Sequence, residues 1–349
     1  MICIIAHHYI VNSGVLSQIT PMSVLSANSL FALIFGWGGK TGINCFVLIT
    51  GYFMCKSDIS IKKFLKIFLE IEFYELLFFI IFAVSGYETF SLKAVIKMLV
   101  PIYYIGTDFS HSYLIFFWFF PYLNLLIKNM DEKLHRNLIV TCILADTILQ
   151  TFLKAPVAFT YVGWFITLYF IAAYIRKYSD GEYNNIKLPG NFFNNKKLWG
   201  TAAITTLLLS WGSVIAGSWI YSATGENIIY FFVSDSNKLL ALITSVTLFL
   251  YFKNLNLGYN KLINKAAAST FGVLMIHANS DSMRRWLWTD VLDNVGAYNS
   301  AILYFVCHAI ISVLSVYIIC TLLDMLRIKF IEKPLFRWFS KTGWINKSI

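Results

Sequence analysis

The chain has 349 residues, of which 58% are hydrophobic and 13% charged, with a formal net charge of +10. Soluble domains carry about 25% charged residues, so this composition excludes an ordinary soluble globular protein and points to an all-α, polytopic membrane protein. The positive charge does not read as a nucleic-acid surface, because the Lys and Arg residues fall in short segments between apolar runs.

A helix that crosses a bilayer needs about 20 apolar residues. The first run, Met1 to Val11, has roughly half that length, so the first helix is expected to be incomplete: either the run is a fragment of a helix or the true start lies upstream. No cleavable leader is expected, since no basic segment precedes a small-residue cleavage site. Asn12 to Asn28 is polar, contains Pro21 and reads as a loop. Leu30 to Cys55 reads as the second span and Lys66 to Val84 as the third. Ser85 to His111, with Pro101, reads as an external loop with a surface-lying segment. Further spans are expected at Ser112 to Ile127, Leu138 to Leu153, Thr160 to Ile175, Leu198 to Tyr221, Lys238 to Phe252, Ala266 to Trp288 and Ser300 to Leu326.

Alternating these runs across a membrane gives about ten spans with both termini cytoplasmic. Most of the 28 Lys and Arg residues then fall on the inner side, from Lys56, Lys62, Lys63 and Lys66 through to Arg337 and Lys341. Shifting the count by one span reverses that asymmetry. No internal repeat or separate soluble segment stands out, so residues 1–349 read as a single transmembrane domain.

Several polar features sit inside apolar runs, where ionisable groups are costly unless they face protein or water. His7 and His8 close the first run. Glu70, Glu72 and Glu75 fall within a turn and a half of the third span and cannot all face lipid; Glu72 and Glu75 share a helical face. They either pair with neighbouring cations or line a cavity. Gly36, Gly38, Gly39 and Gly42 surround Lys40 and mark close helix packing or a broken helix beside a cavity. The Walker spacing is absent there. The six cysteines form no C-x-x-C pair and read as small hydrophobes, with no disulfide frame and no metal site. H-E-x-x-H and G-x-S-x-G are also absent, so metalloprotease and serine-hydrolase readings lack support.

Four stretches together resemble the membrane-bound acyltransferase-3 family. They are His7-His8 in the first run, Gly38-Gly39-Lys40-Thr41-Gly42-Ile43-Asn44-Cys45-Phe46-Val47-Leu48-Ile49-Thr50-Gly51-Tyr52-Phe53, Ser269-Thr270-Phe271-Gly272-Val273-Leu274-Met275-Ile276-His277, and Phe330-Ile331-Glu332-Lys333-Pro334-Leu335-Phe336. The resemblance implies ten helical spans and transfer of an acyl group, usually acetyl from acetyl-CoA, to a hydroxyl of a cell-surface polysaccharide or its lipid-linked precursor. Capsule or exopolysaccharide O-acetylation is the first expectation. Acyl-CoA would be a co-substrate, with no permanently bound cofactor. The partners are the acceptor glycan and the plasma-membrane bilayer.

The same resemblance gives His8 the role of general base, with His7 its neighbour, since imidazole titrates near the operating pH. An Arg expected roughly ten residues before that His would precede Met1, which implies either an upstream segment or an impaired copy. Lys63 and Lys66 occupy the position of a basic pair proposed to meet the CoA phosphates; ordinary positive-inside charge is the alternative. His277, Glu72, Glu75 and Lys40 are candidates for acceptor binding; His277 alternatively supports the first-span His or is a core His bonded to a neighbouring helix. Asp281, Arg284 and Arg285 either shape an acceptor site or form a local ion-pair group. The rival reading is a transporter or flippase of lipid-linked sugars. Such proteins show paired halves with broken helices in matching places, and no such symmetry is visible.

Overall fold

The computed structural model describes residues 1–57, 59–92, 95–96, 109–153, 160–179 and 192–341. Among these the secondary structure is helical, with no β-strand. Most of the expected surface-lying segment, Pro101 included, lies outside the described residues, as do Lys93, Lys97, Lys154, Lys187 and Lys347. Among the described residues three stretches are long and apolar enough to cross a membrane: Ala27–Met54, Lys196–Thr224 and Ile302–Ser340. Phe109–Trp118 with Phe120–Asn129 makes a fourth if that bent pair is one span. The apolar helices Ile2–Val11 and Leu239–Lys253 are shorter.

Several expected spans are interrupted. Leu30 to Cys55 is broken between α2 (Ala27–Gly36) and α3 (Gly39–Met54). Ser112 to Ile127 divides into α5 (Phe109–Trp118) and α6 (Phe120–Asn129). Pro121 stands in the first turn of α6, where its missing N–H and its ring end the preceding helix. Ala266 to Trp288 is three helices: α11 (Lys261–Ala268), α12 (Thr270–Ala278) and α13 (Asp281–Arg285). The Ser280 side chain accepts from the Met283 amide and so starts α13 afresh.

The chain forms two compact units. One comprises Met1–Gly36, Ile59–Ile115 and Gly258–Ile349. Here α1 (Ile2–Val11) packs on α2, on α12 and on α15 (Ile302–Arg327), while α12 also packs on α4 (Ile61–Val84). Ser60 caps α4 by accepting from the Lys63 amide. Asp293, in a left-handed conformation at φ 44°, caps the short α14 (Asn294–Tyr298). A Cβ on Gly272 would run into the Asp324 carboxylate, so α12 and α15 meet where only glycine fits. A π turn, Ile328–Glu332, joins α15 to α16 (Lys333–Ser340).

The other unit comprises Trp37–Asp58 and Phe116–Leu257. It holds α3, α6, α7 (Glu132–Ile143, continued by a π turn to Leu149), α8 (Tyr161–Tyr178), α9 (Lys196–Thr224) and α10 (Leu239–Lys253). α3 packs between α8 and α10, and α10 on α9. Gly51 allows the approach to α8: a Cβ there would lie 2.9 Å from the Ala172 Cβ.

Candidate functional site

Three consecutive side chains of α1 reach three different helices. Successive residues project about 100° apart around a helix, so a residue run can engage neighbours on every side only when the helix is enclosed. The His7 Nδ1 donates to the Gly36 carbonyl at 2.6 Å, satisfying one of the carbonyls that the end of α2 leaves without an intrahelical donor. The His8 Nδ1 lies 3.1 Å from the His277 Nε2 on α12. The Tyr9 hydroxyl lies 2.7 Å from the His308 Nδ1 on α15. The Asn294 side-chain amide donates to the Tyr9 carbonyl at 2.9 Å and fixes this turn from α14.

The hydrogen bonds set the protonation pattern of the imidazole pair. His277 is fully buried, and its Nδ1 bonds the Val273 carbonyl. A carbonyl only accepts, so the His277 Nδ1 carries the hydrogen and its Nε2 the lone pair. The His8 Nδ1 must then be the donor to the His277 Nε2, which leaves the lone pair of His8 on its own Nε2. That atom is a proton acceptor held by a chain of two hydrogen bonds ending on backbone, and His8 itself is half-buried. The Trp288 indole, fully buried, stands edge-on to the His277 ring with centroids 6.3 Å apart.

One turn beyond His8, about 6 Å along the axis of α1, a cavity of about 500 Å³ is lined by Asn12, Ser13, Gly14, Asp281, Arg284, Arg285 and Thr289. Arg284 donates from Nε and Nη2 to the Ala278 carbonyl, the residue after His277, and from Nη1 to Asp281. These groups thus frame a polar cavity at the end of the two helices that carry the imidazoles.

At the N-terminal end of α4 the buried charges form a connected network. The Arg327 guanidinium meets Asp324 at 2.7 Å, Glu70 at 2.9 Å and Glu332 at 3.0 Å. Lys66 meets the second Glu332 oxygen at 2.9 Å, and the Tyr74 hydroxyl donates to Asp324 at 2.8 Å. Beside this network lies a second cavity, of about 370 Å³, lined by Lys62, Lys66, Glu332, Lys333, Phe336, Arg337 and Ser340. Of the expected pair, Lys66 lines it, together with Lys62 one turn earlier; Lys63 is exposed in the first turn of α4 and is not part of that lining.

The remaining candidates have other partners. Glu75 faces His111 on α5 at 3.5 Å, and Glu72 lies within electrostatic reach of the same His111. Lys40 belongs to the other unit, where it pairs with Asp235 at 3.3 Å and with the Tyr161 hydroxyl at 3.0 Å. There Asn44 donates to the Ser236 carbonyl and accepts from the Trp164 indole, so the glycine-rich motif is held through Asn44 as well as through Lys40.

The sequence profile of the acyltransferase-3 family, described as an acyltransferase domain, matches residues 1–321 of this chain. The chain belongs to the acyltransferase-3 family. No curated protein and no solved structure matches it. In this acyltransferase the matched stretch holds both imidazoles and the polar cavity, whereas Asp324, Arg327, Glu332 and all of α16 lie beyond it. Asp324, His111, His308 and the cavity-lining Lys62, Lys333 and Arg337 were not singled out as site residues by sequence. A signal existed for one group: Asp324 and Arg327 are charges three residues apart at the end of an apolar run, which in a membrane helix calls for partners.

Proposed function

We propose that this membrane acyltransferase moves an acetyl or related acyl group from acyl-CoA to a hydroxyl of a cell-surface polysaccharide or its lipid-linked precursor. The observation that carries the reading is the His8–His277 hydrogen bond, with His277 anchored on the Val273 carbonyl. The His8 Nε2 takes the acceptor hydroxyl proton as that oxygen attacks the thioester carbonyl carbon. The C–O bond forms, the C–S bond breaks, and the imidazolium returns its proton to the departing CoA sulfur. The imidazolium keeps its Nδ1–H bond to His277, so the charge forms on a ring whose orientation is already fixed.

The polar cavity at Asn12, Arg284 and Arg285 suits a sugar acceptor, with several hydrogen-bonding groups converging on one volume. The donor's phosphates belong at the basic end of α4, where Lys66 presents a point charge and Lys63 adds to the local field. In this reading the chain makes about ten spans of the plasma membrane with both termini cytoplasmic, so that donor and acceptor meet within the membrane.

The test uses the purified protein in lipid nanodiscs with radiolabelled acetyl-CoA and glycan acceptors, alongside proton NMR of surface polysaccharide from strains with and without the gene. Acetyl signals that require the gene, and label transfer that His8→Ala abolishes, are expected. Identical spectra from both strains, or full transfer by His8→Ala, would overturn the proposal.

A further inference from the structure

We infer that α16, which lies beyond the matched part of the family, completes the donor site by holding the 3′-phosphate of CoA with Lys333 and Arg337. The inference rests on the donor reading above and extends it to a named phosphate and a named helix.

The geometry begins at the π turn. In an α-helix residues five apart point about 140° away from each other. The π turn over Ile328–Glu332 closes bonds between residues five apart instead, and it brings the Glu332 carboxylate back onto Arg327 at 3.0 Å. That bond phases α16. Lys333, Phe336, Arg337 and Ser340, spaced as one face of a helix, all line the same cavity. Lys62 and Lys66, one turn apart on α4, line it from the other side. Phe336 is buried and gives the cavity an apolar floor between the two cations of its own helix.

Charge then defines the ligand. Both Glu332 oxygens are held by cations of the chain, Lys66 and Arg327. Counting the cavity with the network behind it, five cations (Lys62, Lys66, Arg327, Lys333, Arg337) face three carboxylates (Glu70, Asp324, Glu332), leaving two positive charges in excess. A phosphate monoester carries about −1.5 to −2 charge at neutral pH, and CoA has one such group, on its ribose. Arg337 supplies a planar fork for phosphate oxygens, and the lysines supply point charges. The volume of about 370 Å³ falls in the range of small-molecule sites. A phosphate on an anionic lipid headgroup shares this chemistry, so the test separates the two.

Steady-state transfer is measured with acetyl-CoA and with acetyl-3′-dephospho-CoA, in nanodiscs of neutral phosphatidylcholine and in nanodiscs containing phosphatidylglycerol. The wild-type protein should show a KM for the dephospho donor at least about tenfold above that for acetyl-CoA. In a Lys333→Gln, Arg337→Gln double variant the acetyl-CoA KM should rise by the same factor, the two donors should become equivalent, and kcat should stay within about twofold. Lys333→Arg should keep the discrimination, which separates loss of charge from disturbance of α16. Unchanged KM in the double variant, an equal KM increase for both donors, or an effect seen only with phosphatidylglycerol would overturn the inference; the last result would give the cavity to lipid. Transfer from neither donor by the wild type would overturn the donor reading itself, and this inference with it.

Discussion

The His8 Nδ1 stands 3.1 Å from the His277 Nε2, and the anchoring of His277 on the Val273 carbonyl makes His8 the donor in that bond. In the proposed transfer, a neutral imidazole in this place orients its partner as a buried carboxylate does in known acyl-transfer sites, with less stabilisation of the imidazolium because it brings no full charge.

His8→Ala is expected to lower kcat by about 10²–10⁴-fold, the usual contribution of a general base. His7→Ala should cost less, because His7 holds the end of α2 through the Gly36 carbonyl. Label transfer from acetyl-CoA to acceptor measures both. Loss of activity in His7→Ala with retention in His8→Ala would reverse the assignment.

In the proposed mechanism His277 acts through His8, as a positioning residue. His277→Gln keeps a carbonyl oxygen able to accept from the His8 Nδ1, whereas His277→Leu does not. The Gln variant should therefore retain several-fold more activity than the Leu variant, with the difference in kcat and not in the KM for donor. Equal loss in the two variants, at equal thermal stability, would mean that His277 serves packing alone.

Removing Arg327 should be severely destabilising. Glu70, Asp324 and Arg327 are each less than one-tenth exposed, and Arg327→Leu takes the guanidinium from three carboxylates at once, leaving Glu332 with Lys66 and Asp324 with the Tyr74 hydroxyl. Breaking a buried ion pair from one side costs about 3–5 kcal/mol. Size-exclusion profiles and thermal melts in detergent should show aggregated or much less stable protein, and Glu70→Gln, which removes one carboxylate charge, should be milder. A monodisperse Arg327→Leu protein of wild-type stability would contradict this.

Gly272→Ala tests the same network by shape. The added methyl would run into Asp324 Oδ1, and Asp324 is held by Arg327 and the Tyr74 hydroxyl, so neither side yields easily. A loss of about 1–3 kcal/mol, the usual range for overpacking, is expected in detergent melts. Gly212→Ala, with open space around the new Cβ, is the control that should leave stability within about 0.5 kcal/mol.

The proposed ten-span arrangement predicts that cytoplasmic reporters fused after Lys66, Arg136, Lys197 and Lys265 are active. Periplasmic reporter activity at any of these points would break the ten-span arrangement.

The sequence by itself determined the class of this protein. Its apolar, charge-poor composition leaves no room for a soluble fold, and the polar residues left within the apolar runs, His7, His8, Glu70 and His277, stand out because lipid does not tolerate them alone. Four short motifs in order were enough to point to the family that the chain proves to belong to. Partnership was not legible. His8 and His277 are 269 positions apart, and no local pattern says that one imidazole donates to the other. The break at Trp37 was legible in part, since Gly36, Gly38, Gly39 and Gly42 marked close packing or a broken helix there, whereas the spans expected over Ser112 to Ile127 and Ala266 to Trp288 ran unbroken across Phe119 and Asn279, where proline and capping set the interruption. The sequence reads Glu332 and Lys333 only as part of a closing motif. The π turn decides that Glu332 returns to Arg327 and that Lys333 and Arg337 face Lys62 and Lys66, because a single change of helical phase rotates every side chain that follows it.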